Sequence, residues 1–380
     1  MNQPIYLDFN ATTPVAPEVL EAMLPWLRGE FGNPSSSHPL GRRAAQAVAI
    51  ARQQVAAMIG AQAQEIVFTG CATEANNLAV LGVAGALGSS KRHLVVSAVE
   101  HPAVMAPALH LRDQGWTLTV LPVDEFGRVL PDQVAAALKS DTALVSVMHA
   151  NNEVGTLQPI AEIAELTRRH GILLHTDAAQ SAGKVALDVA ALGVDLLTLA
   201  GHKFYAPKGV GALYVRAGTP IGPVLFGAEQ ERALRPGTEN VAAIVGLGAA
   251  AALAMSGLHR SATHLRERRD QLHALLSRDV PGLMLNGHPE YRLPNTLHVS
   301  FPGVGGSALL AAVADEVAAS VGSACHSAQD SVSGVLAAMG LDAARAFGAV
   351  RLSVGRSTTE ADISVAAEAL VRSWRALSNA

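Results

Sequence analysis

The run LAGHKFYAPKGVGALYV (199–215) holds two lysines, Lys203 and Lys208. A strand ending at Leu199 and a turn opened by Gly201 would present His202 and Lys203 at a strand end. A lysine there can reach into a cleft and form a Schiff base; a surface lysine on a loop is the other reading. Lys208 is an internal control, because between Pro207 and Gly209 it reads as ordinary turn chemistry. In HTDAAQSAGK (175–184), Asp177 falls at the C-terminal end of a strand, where open α/β sheets place their ligands. Its carboxylate can pair with a protonated ring nitrogen, or it can cap the next helix. Gln180, three residues on, can donate to a ring oxygen.

Three further stretches carry chemistry. In FTGCATEANN (68–77) a strand ends at Thr69, Gly70 turns, and Cys71, Ala72 and Thr73 open a helix. Free backbone N–H groups there, with the Thr73 hydroxyl, suit a single phosphate; the absence of GxGxxG or GKS disfavours a nucleotide. In VEHPAV (99–104), His101 follows a strand and precedes Pro102. It can stack on a ring and shuttle protons, or stand solvated in its loop. In VGSACHS (321–327), Cys325 sits among small residues, with packing, metal binding and nucleophilic attack as its options. The chain has only one other cysteine, Cys71, so neither a metal-ligand cluster nor a disulfide framework is expected. A phosphate cup, a ring-nitrogen carboxylate and a Schiff-base lysine, in that order and each at a strand end, describe a pyridoxal phosphate (PLP) site, in which the ring serves as an electron sink.

The elements that must position these groups are legible as alternation. Short apolar runs at 65–69, 94–98, 117–121, 143–148, 172–176, 196–199 and 211–215 read as strands covered on both faces. Helical patterns lie between them, as at 42–59, where Ala44, Val48, Ala51, Val55 and Met58 share one face. This predicts an α/β fold with a largely parallel sheet. The uncharged segment 241–258 reaches the length of a membrane span, but its Ala and Gly content and lack of an aromatic belt predict a buried, closely packed helix. From about residue 256 the texture changes to a charged helix, short strands near 295–300 and 350–353, and a final helix over 362–377. That helix places Ile363, Ala367, Leu370, Trp374 and Leu377 on one face and has Thr359 as its N-cap. The expected division is a large domain, 1–255, and a smaller α+β domain, 256–380, with the first ~15 residues packing on the smaller one.

Among the 380 residues, 49% are hydrophobic, 4% aromatic and 16% charged, with a formal net charge of −4. No basic stripe favours a nucleic acid or an anionic membrane. MNQPIYLDFN lacks the pattern of a signal peptide, and a soluble cytoplasmic protein is expected.

The chain resembles the class V aminotransferase-like PLP enzymes of the cysteine desulfurase and selenocysteine lyase family, nearly end to end. The motifs are YLDFNATTP (6–14), FGNPSS (31–36), FTGCATEANN, VEHPAV, ANNEVGT (150–156), HTDAAQ, GHKFYAPKGVG, RPGTEN (235–240), the cysteine loop and VRLSVGRSTTEADI (350–363). The resemblance implies a PLP-dependent transferase of fold type I, with a large mainly parallel-sheet domain and a smaller α+β C-terminal domain. It implies that Lys203 is the Schiff-base lysine, Asp177 the partner of the pyridine nitrogen, and His101 the stacked ring that relays protons. Asn152 and Gln180 would contact the cofactor near its phenolic oxygen. Ala72, Thr73 and His202 would hold the phosphate, with Ala200 where many relatives carry a hydroxyl. Thr238 would reach the phosphate of the neighbouring subunit, implying a homodimer, and Arg351 would hold the substrate carboxylate.

The implied reaction removes the chalcogen from L-selenocysteine or L-cysteine, gives L-alanine, and leaves selenide or a persulfide on Cys325, with a sulfur or selenium acceptor protein as a further partner and no metal. Cys325 is preferred over Cys71 as nucleophile, because a bound phosphate opposes a thiolate at position 71; His326 is not assigned as its base. Iron–sulfur-cluster desulfurases typically read SGSACTS followed by Glu-Pro-Ser. Here the sequence is VGSACHS followed by AQDSVSG, and ACHS, GHKFY, RPGTEN, RLPNT and RLSVGRSTT look more like selenocysteine lyase. Three expectations follow. They are a selenocysteine lyase that also accepts cysteine, a general cysteine desulfurase feeding acceptor proteins, and a non-catalytic sulfur-carrier scaffold.

Overall fold

A computed structural model describes residues 3–322 and 333–379. Seven strands form one sheet, in the order Ile66–Thr69, Gly211–Val215, Leu196–Ala200, Leu173–Asp177, Thr142–Ser146, His93–Ser97 and Thr117–Leu121. Their apolar side chains are buried on both faces, except at the half-buried Leu173 and in the edge strand Thr117–Leu121, as helix-covered strands require. Gly211–Val215 runs antiparallel to both of its neighbours. The other strands therefore all point one way, and Thr69, Ser97, Ser146, Asp177 and Ala200 end along one edge. An apolar run has no direction, so the reversal of Gly211–Val215 was not readable from its pattern.

A smaller antiparallel sheet holds Ala349–Ser353, Thr296–Ser300 and Met284–Leu285. It packs with the final helix Glu360–Ser378 around a second core that includes Leu297, Val299, Val350, Leu352, Ile363 and Leu370. Thr359 and Asp362 close a reciprocal capping box at that helix's start. Trp374 donates to the Pro302 carbonyl at 3.0 Å, whereas Leu377 is exposed. The N-terminal segment joins this smaller unit. Ile5–Tyr6 pairs in parallel with Val317–Ala318, and Leu7 lies in the second core.

One expected feature changes. The segments read as a buried helix and a separate charged helix are one 39-residue helix, Val241–Asp279, which runs through the expected boundary at 255. At 1.5 Å per residue it spans about 58 Å. Its first half is apolar enough to cross a membrane by composition, and half of that window is buried in the protein. Small residues allow this packing. A Cβ at Gly248 would lie 2.6 Å from the Ala51 Cα, and one at Gly246 would lie 2.7 Å from the Met23 sulfur. The change from alanine-rich to charged sequence marks where the helix leaves the large core for a more solvated course, without breaking it.

Candidate active site

The strand ends converge on a cavity of about 340 Å³, within the range of small-molecule sites. Ala72, Thr73, His101, Asn152, Asp177, Gln180, Ala200, His202, Lys203 and Arg351 all line it. Thr238 does not; it is exposed on a loop. Cys325 lies outside the described residues, while Gly322, three residues before it, lines the cavity.

Lys203 ends a short 3-10 turn, Gly201–Lys203, directly after its strand. Its Nζ donates to the carbonyl oxygens of Asn10 at 2.6 Å and Ala11 at 2.8 Å. Lys208 is exposed five residues on. Asp177 caps no helix: turns follow it, and the next helix, Val189–Leu192, is capped by Asp188. Asp177 Oδ1 accepts from the Ala179 N–H at 2.9 Å and closes the following turn, while Oδ2 accepts from Asn76 Nδ2 at 2.7 Å. The carboxylate is 5% exposed and keeps acceptor capacity toward the cavity it lines.

His101 is the N-cap of the helix Pro102–Asp113, with Nδ1 accepting from the Ala103 N–H at 3.1 Å. In the neutral ring the hydrogen is therefore on Nε2. Burial lowers the His101 pKa; Lys203 lowers it further and Asp177 opposes both. His202 faces Thr12 Oγ1 through Nδ1 at 3.1 Å, and burial, followed by repulsion from Lys203, Lys208 and Lys184, brings its pKa down to about 4. The imidazole is thus neutral near pH 7 and can act as a hydrogen-bond donor to an anion.

The helix Ala72–Leu87 has Cys71 at its N-cap with no side-chain cap, so its first N–H groups remain available toward the cavity. Gly211, paired with Thr69 across the sheet, lets this helix start come close. A Cβ at position 211 would lie 2.8 Å from the Cys71 carbonyl carbon and 3.1 Å from the Ala72 nitrogen.

Arg351 is 3% exposed. Nη2 pairs with Asp8 Oδ1 at 2.7 Å, and Nη1 donates to the carbonyl oxygens of Asn152 at 2.9 Å and Gly322 at 3.3 Å. Asp8 thus occupies one arm of the guanidinium that the resemblance assigns to a substrate carboxylate, while Nε is buried without a partner among the described residues.

Four participants escaped the sequence reading. Asn76 fixes Asp177. Asn10 accepts from Lys203 and from Gln180 Nε2 (3.0 Å) on its carbonyl, and binds Thr296 (2.9 Å) and Asn295 (2.9 Å) through its side chain. Lys184 lies behind Gln180. Glu100 is buried beside His101, its Oε1 accepting from Ser97 Oγ at 2.6 Å and from the Met148 N–H at 2.8 Å. Burial, the largest cause, and the Asp177 charge together outweigh those hydrogen bonds and raise its pKa to about 8. All four lie within the motifs YLDFNATTP, FTGCATEANN, VEHPAV and HTDAAQSAGK. What was missing was the long-range placement that brings Asn10 to Lys203.

Residues 5–365 match the aminotransferase class-V family, and the chain belongs to that family of PLP enzymes. It is 44% identical over 373 residues to a protein named cysteine desulfurase IscS from Dictyoglomus turgidum, covering 98% of this chain and 95% of that one. It is 45% identical over 363 residues to a protein of the same name from Methanosarcina thermophila, covering 95% and 90%. A solved NifS-like protein superposes with a TM-score of 0.92 at 36% identity, covering all of both chains. A structure titled SspA in complex with cysteine gives 0.82 at 35% identity, covering 94% of this chain and all of that one.

The residues present fit PLP. The cavity is large enough for it, the helix start at Ala72 is held close by Gly211, Asp177 is buried with acceptor capacity to spare, and Lys203 lies at the strand end between them.

Proposed function

We propose that this chain is a PLP-dependent cysteine desulfurase that converts L-cysteine to L-alanine and retains the sulfur as a persulfide on Cys325. The observation that carries the reading is the convergence of Lys203, Asp177, His101 and the Ala72 helix start on one cavity, in a chain whose relatives bear the name cysteine desulfurase.

In this reading Lys203 binds the cofactor covalently, Asp177 holds the proton on its pyridine nitrogen, and the Ala72, Thr73 and His202 donors hold its phosphate, with the Ala200 backbone beside them. Asn152 and Gln180 flank its phenolic oxygen. The bound cofactor supplies an electron sink that weakens bonds at the substrate's Cα and Cβ. The protein's own tasks are then local. Arg351 orients the substrate carboxylate, and Lys203 and His101 move the Cα proton. The Cys325 thiolate takes the substrate sulfur as the Cβ–S bond breaks, and protonation at Cβ completes alanine. Thr238, exposed on its loop, completes the phosphate site of a second copy, so the working unit is a homodimer. The persulfide passes on to an acceptor protein.

The test is alanine release from L-cysteine by the PLP-loaded protein, with the sulfur-carrying residue located by thiol labelling and peptide mapping. Alanine forms, and Cys325 carries the label. Cys325→Ala abolishes desulfuration and Cys71→Ala retains it; full activity in Cys325→Ala removes Cys325 from the mechanism. Absence of alanine from both cysteine and selenocysteine overturns the reading. The ACHS motif makes selenocysteine the competing substrate. A selectivity for it above about tenfold, or 1.4 kcal/mol, assigns the chain to selenocysteine lyase instead.

A further inference from the structure

Lys184 stands one layer behind the cavity. It is 5% exposed and does not line the main cavity, whereas Gln180 does. Its Nζ donates to Gln180 Oε1 at 2.9 Å and to Asn10 Oδ1 at 3.3 Å. Both acceptors are neutral amide oxygens, an unfavourable setting for a buried ammonium. Burial pushes its pKa well below the usual lysine range, and Lys203 and Arg351 add repulsion. Two hydrogens suffice for both contacts, so the arrangement serves the amine as well as the ammonium.

The consequence falls on Gln180. A carboxamide can be turned end for end unless its neighbours decide otherwise. Here Lys184 donates on one side, and the acceptor-only carbonyl of Asn10 takes Gln180 Nε2 at 3.0 Å on the other. The acceptor-only carbonyl demands nitrogen toward Asn10, and Lys184, donating to the oxygen, complements that orientation from the other side. Nε2 carries two hydrogens and Asn10 takes one.

We propose that Lys184 is a positioning residue that holds Gln180 so that its second N–H is offered to the cofactor's ring oxygen, and that it thereby sets the basicity of the bound cofactor. The inference rests on the PLP reading above and extends it to a residue outside the cavity wall. A hydrogen bond to an oxyanion favours its charged form. Loosening Gln180 therefore makes the bound cofactor more basic.

The experiment is a pH titration of the visible absorbance of PLP-loaded protein. Lys184→Met keeps the packing and removes the donor; the midpoint rises by up to about one pH unit, the size of effect that loss of one hydrogen bond to an ionised group produces. Gln180→Met raises it as well, and Lys184→Met adds nothing in that background, since the two act in series. A midpoint unchanged by Lys184→Met overturns the inference. So does an equal further rise in the Gln180→Met background, which would mark a direct charge effect. Lys184→Gln, with a shorter donor, shifts the midpoint less in the same direction and serves if the Met variant does not fold; an unmoved midpoint in that folded variant also overturns the inference. Failure of the parent protein to develop a visible band with PLP defeats the PLP reading itself, which separates the two failures.

Discussion

Lys203 Nζ lies 2.6 Å from the carbonyl oxygen of Asn10, a residue 193 positions earlier in the chain. Through its side chain Asn10 also touches Thr296 and Asn295 of the smaller unit. The lysine that would carry the cofactor is thus tied to the N-terminal segment and, through it, to the small sheet. Those contacts orient Nζ at the end of its strand, at the edge of the cavity.

From that placement, Lys203→Ala is expected to bind PLP without the visible band that a lysine linkage gives. Lys208→Ala, altering an exposed neighbour in the same loop, is expected to keep both the band and the activity. Absorbance spectra of the two purified variants check this. A band retained in Lys203→Ala would move the covalent role to another amine.

Glu100 makes a prediction about pH. Its pKa is about 8 in the folded protein against an ordinary value of 4.5. Between those values the folded state keeps a proton that the unfolded state has released. Stability from this group therefore falls as pH rises from about 4.5 to about 8, by at most about 1.4 kcal/mol per unit. Glu100→Gln mimics the neutral acid, with Oε1 still accepting from Ser97 and Met148, and it removes the slope. The variant should match the parent near pH 4 and melt above it at pH 8. Parallel melting curves across that range would show that Glu100 ionises normally.

These two residues mark how far the sequence could be read. Lys203, Asp177, His101 and Thr73 were legible because each follows an apolar run, and a strand end in an α/β sheet is where ligands bind. Asn10 was not, because no local pattern says which distant carbonyl a lysine will meet. Glu100 precedes His101 in VEHPAV, but its burial depends on helices and strands packed over it. The continuity of Val241–Asp279 was hidden by a change of composition in mid-helix, since propensity and charge report solvent exposure as well as helix ends.

Arg351 presents a fork already committed on one arm to Asp8 and on the other to two backbone carbonyls. Arg351→Lys supplies one point charge in place of that fork. A substrate carboxylate must share this guanidinium with Asp8 and those carbonyls, so the contact at stake is one charge-assisted hydrogen bond; at about 1.5–3 kcal/mol its loss lowers kcat/KM for the amino acid by about 10- to 100-fold, chiefly through KM. The PLP spectrum stays that of the parent. Steady-state kinetics with L-cysteine decide it; an unchanged KM would mean that another group holds the substrate carboxylate.

Gly211 tests the phosphate cup by sterics alone. A methyl group there meets the Leu199 carbonyl oxygen at 2.7 Å, the Cys71 carbonyl carbon at 2.8 Å and the Ala72 nitrogen at 3.1 Å. All three are backbone atoms between a buried strand and a helix start, so relief requires the helix to move rather than a side chain to rotate. Moving it displaces the N–H groups expected at the phosphate. Gly211→Ala should therefore weaken PLP binding by about tenfold or more, the effect of losing one good hydrogen bond to an anion. Gly85→Ala, in the same helix with nothing within 4 Å of the added methyl, should leave binding unchanged and stabilise the fold by up to about 1 kcal/mol through helix propensity. Titration of apo-protein with PLP reads both. Equal affinity in Gly211→Ala would place the phosphate away from this helix start.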